Sequence, residues 1–591
     1  MMRHTEMEQR IANPQRVSDQ QRAAIRSPGN FFLLSRPGSG KTRTVGIRVA
    51  RLATQFPSRR VAATSYTNVA IRQIRDTIRD WNVVLNESHF TGTLHRFILH
   101  YILYPFGHLE PVYLMQPFRL VMDDKWTGWP QVLCRGNNRQ RVSVAALHYR
   151  TDASFRARGL PHSLGLTEEE VISEETSQIR EKKKEARRRG LVSLSDAMFY
   201  AQKILERHKD IRNALASRFD ELIVDEAQDT SDVQMRCLEL LYQSGNLSSI
   251  VLVGDVDQSI YGFQGARPDL CADLCATCQL EELPLDQNYR SSQAICNVTC
   301  RFCGRKEPDE AVGPNRDAGL SPEALIYDSA DATSARRLFR SRLAKHGIDP
   351  ANAVVLARKH NFCVDVDGTP RTIELNRRLL TLGNFAAAKW EPGTLHRNEL
   401  EAVERLVSNM AFGSDPHSLE GPRREVLRTA VLKLFSAMPD LKQPLDTWVR
   451  QVRDEVRITL GTLTDDPVHK PEHRIRAKKD FELVTAAEAI APSPNELPAR
   501  TVHDVKGESH EAVLLVIQPR TGRQPDQCQL WAAPLLGEEV EESELEELRI
   551  AYVALTRAER YCAMAIPNNV DQHRIEAYTA AGFQRIGPTN T

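Results

Sequence analysis

The strongest constraint on the fold is an eight-residue stretch, SRPGSGKT, at Ser35–Thr42. It follows an apolar run, NFFLL at Asn30–Leu34, with the length and composition of a short buried strand. Beyond it, Val45, Val49, Leu52 and Ala53 recur at i, i+4, i+7 and i+8, the spacing of one helix face. Strand, glycine-rich turn and helix, in that order, aim a helix N-terminus at an anion. In the pattern G-x-x-x-x-G-K-[ST], the glycines let successive N–H groups curl round phosphates. The lysine reaches the β- and γ-phosphates, and the hydroxyl residue holds Mg²⁺. Gly38, Ser39, Gly40, Lys41 and Thr42 fit, whereas Ser35 stands where the pattern has its first glycine. Taken alone, the stretch also reads as a plain βα turn.

Further apolar runs ending in polar residues predict more strands of the same kind. Arg59–Thr67, Glu221–Thr230 and Ser248–Gln258 form one set; Asn352–His360, Glu511–Pro519 and Tyr561–Pro567 form a second. Runs of this type separated by helical patterns imply α/β organisation with two doubly wound parallel sheets, and ligands beyond the strands' carboxyl ends. The second run of the first set, ELIVDEAQDT, puts Asp225 and Glu226 at a strand's end. In a P-loop ATPase the first such carboxylate binds Mg²⁺ and its neighbour takes a proton from the attacking water. The next run places Gln258 where it could sense a γ-phosphate, followed by Tyr261 and Phe263. Aromatics beside a polar loop are either core or stacking platforms for unpaired bases.

A chain of 591 residues is too long for one core. No run of 18 apolar residues offers a transmembrane helix, and the opening MMRHTEMEQRIANPQ lacks a signal peptide's apolar core, so no membrane partner and a cytoplasmic location are expected. The net charge of +1 means that any nucleic-acid site must be a local surface. The basic run Arg180–Gly190 reads as a solvated helix face with Glu181 and Glu185 interleaved, or as a phosphate contact. Six cysteines, Cys271, Cys275, Cys278, Cys296, Cys300 and Cys303, repeat one spacing. That spacing suits buried helix faces, with an iron–sulfur or zinc site as the alternative. APSPNELP at Ala491–Pro498 reads as a linker.

These motifs, in this order, resemble the UvrD/Rep/PcrA-type superfamily 1 DNA helicases. VSDQQRAAI (17–25) resembles the Q motif, SRPGSGKT motif I, TSYTNVA (64–70) motif Ia and TGTLHRF (91–97) motif Ib. VDEAQDT (224–230) resembles motif II, VGDVDQSIYGFQGA (253–266) motif III and LDQNYRSS (285–292) motif IV. TVHDVKGES (501–509) resembles motif V and LRIAYVALTRAER (548–560) motif VI. The resemblance implies two RecA-like domains with ATP and Mg²⁺ in the cleft between them and single-stranded DNA, or DNA with a 3′ overhang, across their top. The implied division is 1–100 with 201–284 for the first domain and 285–375 with 496–591 for the second. A helical 1B-like insertion would occupy 101–200 and a reduced 2B-like insertion 376–495.

The resemblance also implies roles. Gln21 would read adenine and Tyr289 stack on it; Gly38, Ser39, Gly40, Lys41, Thr42, Arg43, Gly507 and Glu508 would hold the nucleotide. Thr42 and Asp225 would hold Mg²⁺, Glu226 would act as base, Gln258 would couple the γ-phosphate to the DNA side, and Arg290 and Arg557 would converge on the γ-phosphate as arginine fingers. Tyr66, Asn68, His95, Tyr261, Phe263 and His503 would face DNA. Four departures stand out: Ser35 for Gly or Ala, Val69 and Gln264 for basic residues, and Glu508 one place before the usual Glu position, which Ser509 fills. The implied activity is an ATP-dependent 3′→5′ DNA helicase or translocase. The alternative is a DNA-stimulated ATPase subunit beside a nuclease or other repair or defence partner, as in Gabija-type systems.

Overall fold

The computed structural model describes residues 4–56, 58–109, 118–121, 129–134, 140–157, 168–261, 268–305, 307–367, 377–390, 397–413, 416, 419, 421–471, 475, 485–487, 497–520, 527–541 and 544–587. The chain divides into two compact units, one of Met1–Cys363 with Ala499–Thr591 and one of Val364–Pro498.

The larger unit holds two six-stranded sheets. In the first, β1 (Phe31–Ser35), β2 (Val61–Ser65), β3 (Phe90–Thr93), β4 (Glu221–Asp225), β5 (Ser249–Gly254) and β6 (Glu281–Leu285) lie in the order β6-β1-β5-β4-β2-β3. Every neighbouring pair is parallel. Strands β2, β4 and β5 are buried at every position, as their unbroken apolar runs require of strands covered on both faces. Strand β6 (EELPL) closes one edge, where its solvent-facing glutamates and Pro284 cost nothing. Asp225 lies in register with Ser65 and Val253, so the three central strands end level.

The second sheet contains β7 (Glu323–Tyr327), β8 (Ala353–Ala357), β9 (Ala499–Thr501), β10 (His510–Val516), β11 (Ala558–Pro567) and β12 (Gln584–Ile586), ordered β9-β8-β10-β11-β7-β12 and again all parallel. These are the two parallel sheets that the strand patterns predicted, and they form the two RecA-like cores that the resemblance implied. Segments expected to be helical at 101–200 also form three two-stranded ribbons, among them Gln131–Cys134 with Gln140–Ser143 and Leu147–Tyr149 with Phe155–Ala157. Their three- and four-residue strands are too short for a periodic signal. The smaller unit is helical where described: Arg377–Trp390, Arg397–Phe412, Gly421–Ala437 and Leu445–Gly461 pack Leu382, Phe385, Val407, Leu434 and Trp448 into one core.

Two sequence features resolve differently from their simplest readings. Within the basic run, Lys183 is fully buried and donates to Asp196 at 2.6 Å, while Lys184 and Arg188 remain exposed. The face is therefore only partly solvated. Cys271, Cys275 and Cys278 join the core of the first sheet's outer helices, and Cys296 and Cys300 are buried. Among the described residues, no group of three or more His, Cys, Asp or Glu is placed to hold a metal ion.

The first sheet is tied to the helix carrying Gln21 by a buried ion pair. Arg48, 2% exposed, donates from Nε and Nη2 to Glu221 at 2.7 Å and from Nη1 to the carbonyls of Ala24 and Ser27. Arg48→Met would strand the Glu221 carboxylate in the core and should cost about 3–5 kcal/mol. The double variant Arg48→Met/Glu221→Met should recover most of that loss in urea unfolding. A double variant no more stable than Arg48→Met would show that the lost carbonyl bonds, not the stranded charge, set the cost.

Candidate nucleotide cleft and its aromatic neighbour

Phosphate binding at the end of β1 depends on backbone shape. Gly38 (φ +71°) and Gly40 (φ +78°) adopt the left-handed region, and helix Lys41–Gln55 starts directly after them. A Cβ at Gly38 would come within 2.4 Å of Asn288 Oδ1, and one at Gly40 within 2.9 Å of Gln21 Nε2. Ser35 ends β1 fully buried and donates its hydroxyl to the Gly254 carbonyl at 2.9 Å, which makes a serine at this place part of the sheet. The Ser39 hydroxyl is buried without a hydrogen-bond partner among the described residues. A cradle that only glycine fits, closed by an unsatisfied hydroxyl, suits phosphate oxygens.

At the end of β4, Thr42 Oγ1 donates to Asp225 Oδ2 at 3.0 Å, and Lys41 Nζ pairs with Glu226 Oε1 at 2.9 Å. Glu226 is held at φ +57°, an uncommon conformation for a residue with a side chain. Gln228 Nε2 donates to its other oxygen at 2.6 Å. Burial and the Glu226 charge push Asp225 up to about 7. Burial works against the Glu226 charge too, but Lys41 and Lys506 overcome it and hold this carboxylate at about 2. Glu226 is thus the ionised member of the pair. A divalent cation fits the Thr42 hydroxyl and Asp225 carboxylate, since both are oxygen donors and the acid is short of positive partners.

The second sheet contributes cations. Arg557, 2% exposed, donates from Nη2 to Gln258 Oε1 at 2.9 Å, and Gln258 Nε2 donates to Asp255 at 2.6 Å. Arg290 Nη1 donates to the Thr556 carbonyl at 2.8 Å. Burial first and the neighbouring Arg557 second lower Arg290 to about 9. Lys506 Nζ donates to Asp229 at 2.5 Å and to the Gln258 carbonyl at 2.7 Å. Arg36, Lys41, Glu226, Gln258, Arg290 and Arg557 all line one cleft of ≈ 150 Å³.

Beside it, four rings from four strand ends meet. Tyr66 follows β2, His95 follows β3, Tyr261 follows β5 and His503 follows β9. Tyr66 lies 4.9 Å from Tyr261 and 6.2 Å from His95, and Tyr261 lies 5.7 Å from His503. Burial lowers both His95 and His503 to about 4, so both imidazoles are neutral at pH 7. Lys506 Nζ also stands 4.9 Å from the Tyr261 ring centre, which places one cation against both the cleft and the rings.

The UvrD/REP helicase N-terminal domain profile matches residues 17–278. DNA helicase II of Haemophilus influenzae is 28% identical over 295 residues, covering 48% of this chain and 39% of that protein. The ATP-dependent DNA helicase UvrD2 of Mycobacterium bovis is 24% identical over 587 residues, covering 93% of this chain and 78% of that protein. The exonuclease/helicase subunit RexA of Lactococcus lactis is 42% identical over 110 residues, or 18% of this chain and 9% of that one. The chain is similar to UvrD/Rep-type helicases, above all over its first core. It spans about two-fifths of the length of the DNA helicase II relatives it matches.

Several residues implied by the UvrD/Rep resemblance do more, or less, than expected. Gln21 is engaged at both ends, accepting from Ser18 N–H and donating to the Ser39 carbonyl at 3.1 Å, so it braces the phosphate loop. Tyr289 N–H donates to the Gly38 carbonyl at 2.9 Å and its hydroxyl donates to Gln287 at 3.0 Å. Arg43 and Gly507 line the cleft. Glu508 does not: Arg500 donates to both its oxygens, at 2.8 and 2.9 Å, and His510 Nε2 lies 3.1 Å away. The shifted motif V carboxylate is consumed within the second core. Asn68 is exposed at the start of helix Asn68–Asp80. Phe263 and Gln264 lie outside the described residues. Lys506, Asp229 and Arg36 were missed as site residues; a lysine inside motif V and an arginine inside the phosphate loop were the available signals.

Proposed function

We propose that the chain is an ATP-driven motor that moves 3′→5′ on single-stranded DNA and uses that movement to separate strands. The carrying observation is Lys506, which touches Asp229 and the Gln258 carbonyl on the nucleotide side and the Tyr261 ring on the aromatic side. A charge shared between the two sites supplies a physical link between hydrolysis and DNA grip.

In this reading Lys41 and the N–H groups of Gly38–Thr42 hold the triphosphate. Thr42 and Asp225 would hold Mg²⁺, whose charge would offset that of the phosphates. Glu226, ionised beside the γ-phosphate, accepts the proton of the attacking water. Arg290 and Arg557 come from the other core, so transition-state charge is neutralised only when the cores are together. Gln258, held by Arg557, transmits that closure to Tyr261 three residues on, and Tyr66, His95 and His503 form the rest of a stacking surface for bases.

The reading is tested by steady-state ATP hydrolysis with and without single-stranded DNA, followed by displacement of a strand from a 3′-tailed duplex. Tyr66→Ala should raise the DNA concentration for half-maximal stimulation about tenfold, the loss of one stacked base. Equal losses of basal and stimulated turnover would make the ring core only. The RexA relative, an exonuclease/helicase subunit by name, favours a second reading, a DNA-stimulated ATPase working with a nuclease partner. Strong stimulation without strand displacement, with displacement restored by a co-purified nuclease, would support it.

A further inference from the structure

Four charged side chains close a ring that the hydrolysis reading leaves unused. Arg36 Nη1 donates to Asp257 Oδ2 at 3.0 Å, and the same oxygen lies 3.6 Å from Arg305 Nε. Arg305 Nη1 donates to Asp309 Oδ1, which lies 3.9 Å from Arg36 Nε. The signs alternate round the ring, so every side is attractive. We propose that this ring is a latch across the nucleotide cleft that slows its opening and the departure of the spent nucleotide diphosphate. The proposal rests on the nucleotide reading above.

The placement of the four residues supports it. Arg36 belongs to the phosphate loop, lines the cleft and is fixed by its own N–H donating to the Leu285 carbonyl at 2.9 Å. Asp257 precedes Gln258, the side chain that receives Arg557. Arg305 follows Phe302, a fully buried member of the second core, and its Nη2 donates to the Tyr552 hydroxyl on helix Leu545–Leu555. Two sides of the ring lie within one core each, Arg36–Asp257 and Arg305–Asp309. The other two, Asp257–Arg305 and Arg36–Asp309, cross the seam.

The cleft encloses ≈ 150 Å³, whereas pockets that admit drug-sized ligands run to about 300–1,000 Å³. A nucleotide therefore enters and leaves only as the seam widens, and widening lengthens the two crossing pairs. All four side chains are between 8% and 27% exposed. They are thus partly screened, and breaking them should change a rate by about three- to tenfold and not by orders of magnitude. Arg36, Asp257, Arg305 and Asp309 are in this sense positioning residues. They hold the cores and touch no reacting atom.

The test is dissociation of a fluorescent ADP analogue from the full chain, followed by stopped flow. Arg305→Met should release it about three- to tenfold faster than wild type, with Asp309→Asn as a second, less disruptive variant. Raising salt from about 50 to about 500 mM should speed release from wild type toward the variant rate and speed it less in Arg305→Met, which keeps only the Arg36–Asp309 pair across the seam to screen. Release from both variants at the wild-type rate, or equal salt responses in all three, would overturn the latch. Lys41→Ala separates the two readings. If wild type binds the analogue and Lys41→Ala binds it weakly, the nucleotide reading stands even where the latch fails. If wild type does not bind it, both fall together.

Discussion

Glu226→Gln is expected to lower the ATPase kcat by about 10²–10⁴-fold, the usual contribution of a positioned general base. The amide keeps the size of the side chain and a hydrogen-bonding oxygen for Lys41, now 2.9 Å from Glu226 Oε1, so the fold and nucleotide binding should survive. What it removes is the proton acceptor. Glu226 suits that task because Lys41 and Lys506 keep it ionised against its burial, at about 2, while burial and Glu226 itself push Asp225 up to about 7. The variant also removes the charge that raises Asp225, so the metal-side carboxylate should become more acidic. The check is turnover beside equilibrium binding of a fluorescent ATP analogue. A variant that binds the analogue as wild type does and hydrolyses ATP within tenfold of it would move the proton acceptor elsewhere.

Much of this site was legible because its chemistry follows strand ends. Seven apolar runs marked seven strands, and the polar stretches that follow β1, β4 and β5 bring Lys41, Glu226 and Gln258 into one cleft. A strand buried on both faces must be apolar throughout, so its end is a sharp change in composition. Strand β6 was missed because an edge strand is under no such rule, and EELPL leaves its acids in solvent. The short ribbons of the first insertion carry too few residues for a period to register. The ring could not be seen at all. Arg36 and Asp257 are 221 residues apart, and a pair of opposite charges in sequence says nothing about distance.

The departure at motif V shows the converse. Glu508 looked displaced from its usual place, and the structure gives it separate work, tied by Arg500 and His510. The cysteine spacing behaved in the same way. Three residues at i, i+4 and i+7 form one helix face, and that face packs into a core. In both cases local pattern was read correctly and its purpose was decided by what lay opposite.

Arg557→Lys should reduce the DNA-stimulated kcat by about 10³-fold or more, the scale on which arginine fingers act. Lysine preserves the charge but offers no planar fork, so it cannot hold Gln258 and reach a phosphate oxygen together. In this structure Arg557 uses Nε on the Val553 carbonyl at 3.0 Å and Nη2 on Gln258 at 2.9 Å. Arg290 stands beside it, its affinity for a proton lowered to about 9 by burial and by Arg557. Two cations side by side, Arg557 buried and Arg290 partly so, favour a polyanion at that place, and most strongly when its charge peaks in the transition state. Nucleotide binding should therefore weaken much less than turnover in the variant. Gln258→Ala distinguishes phosphate contact from mere bracing. If Arg557 acts on phosphate, Arg557→Lys should remain severely impaired even with Gln258→Ala present. If the double variant is no slower than Gln258→Ala alone, Arg557 serves only to hold Gln258, and Arg290 is left as the sole finger.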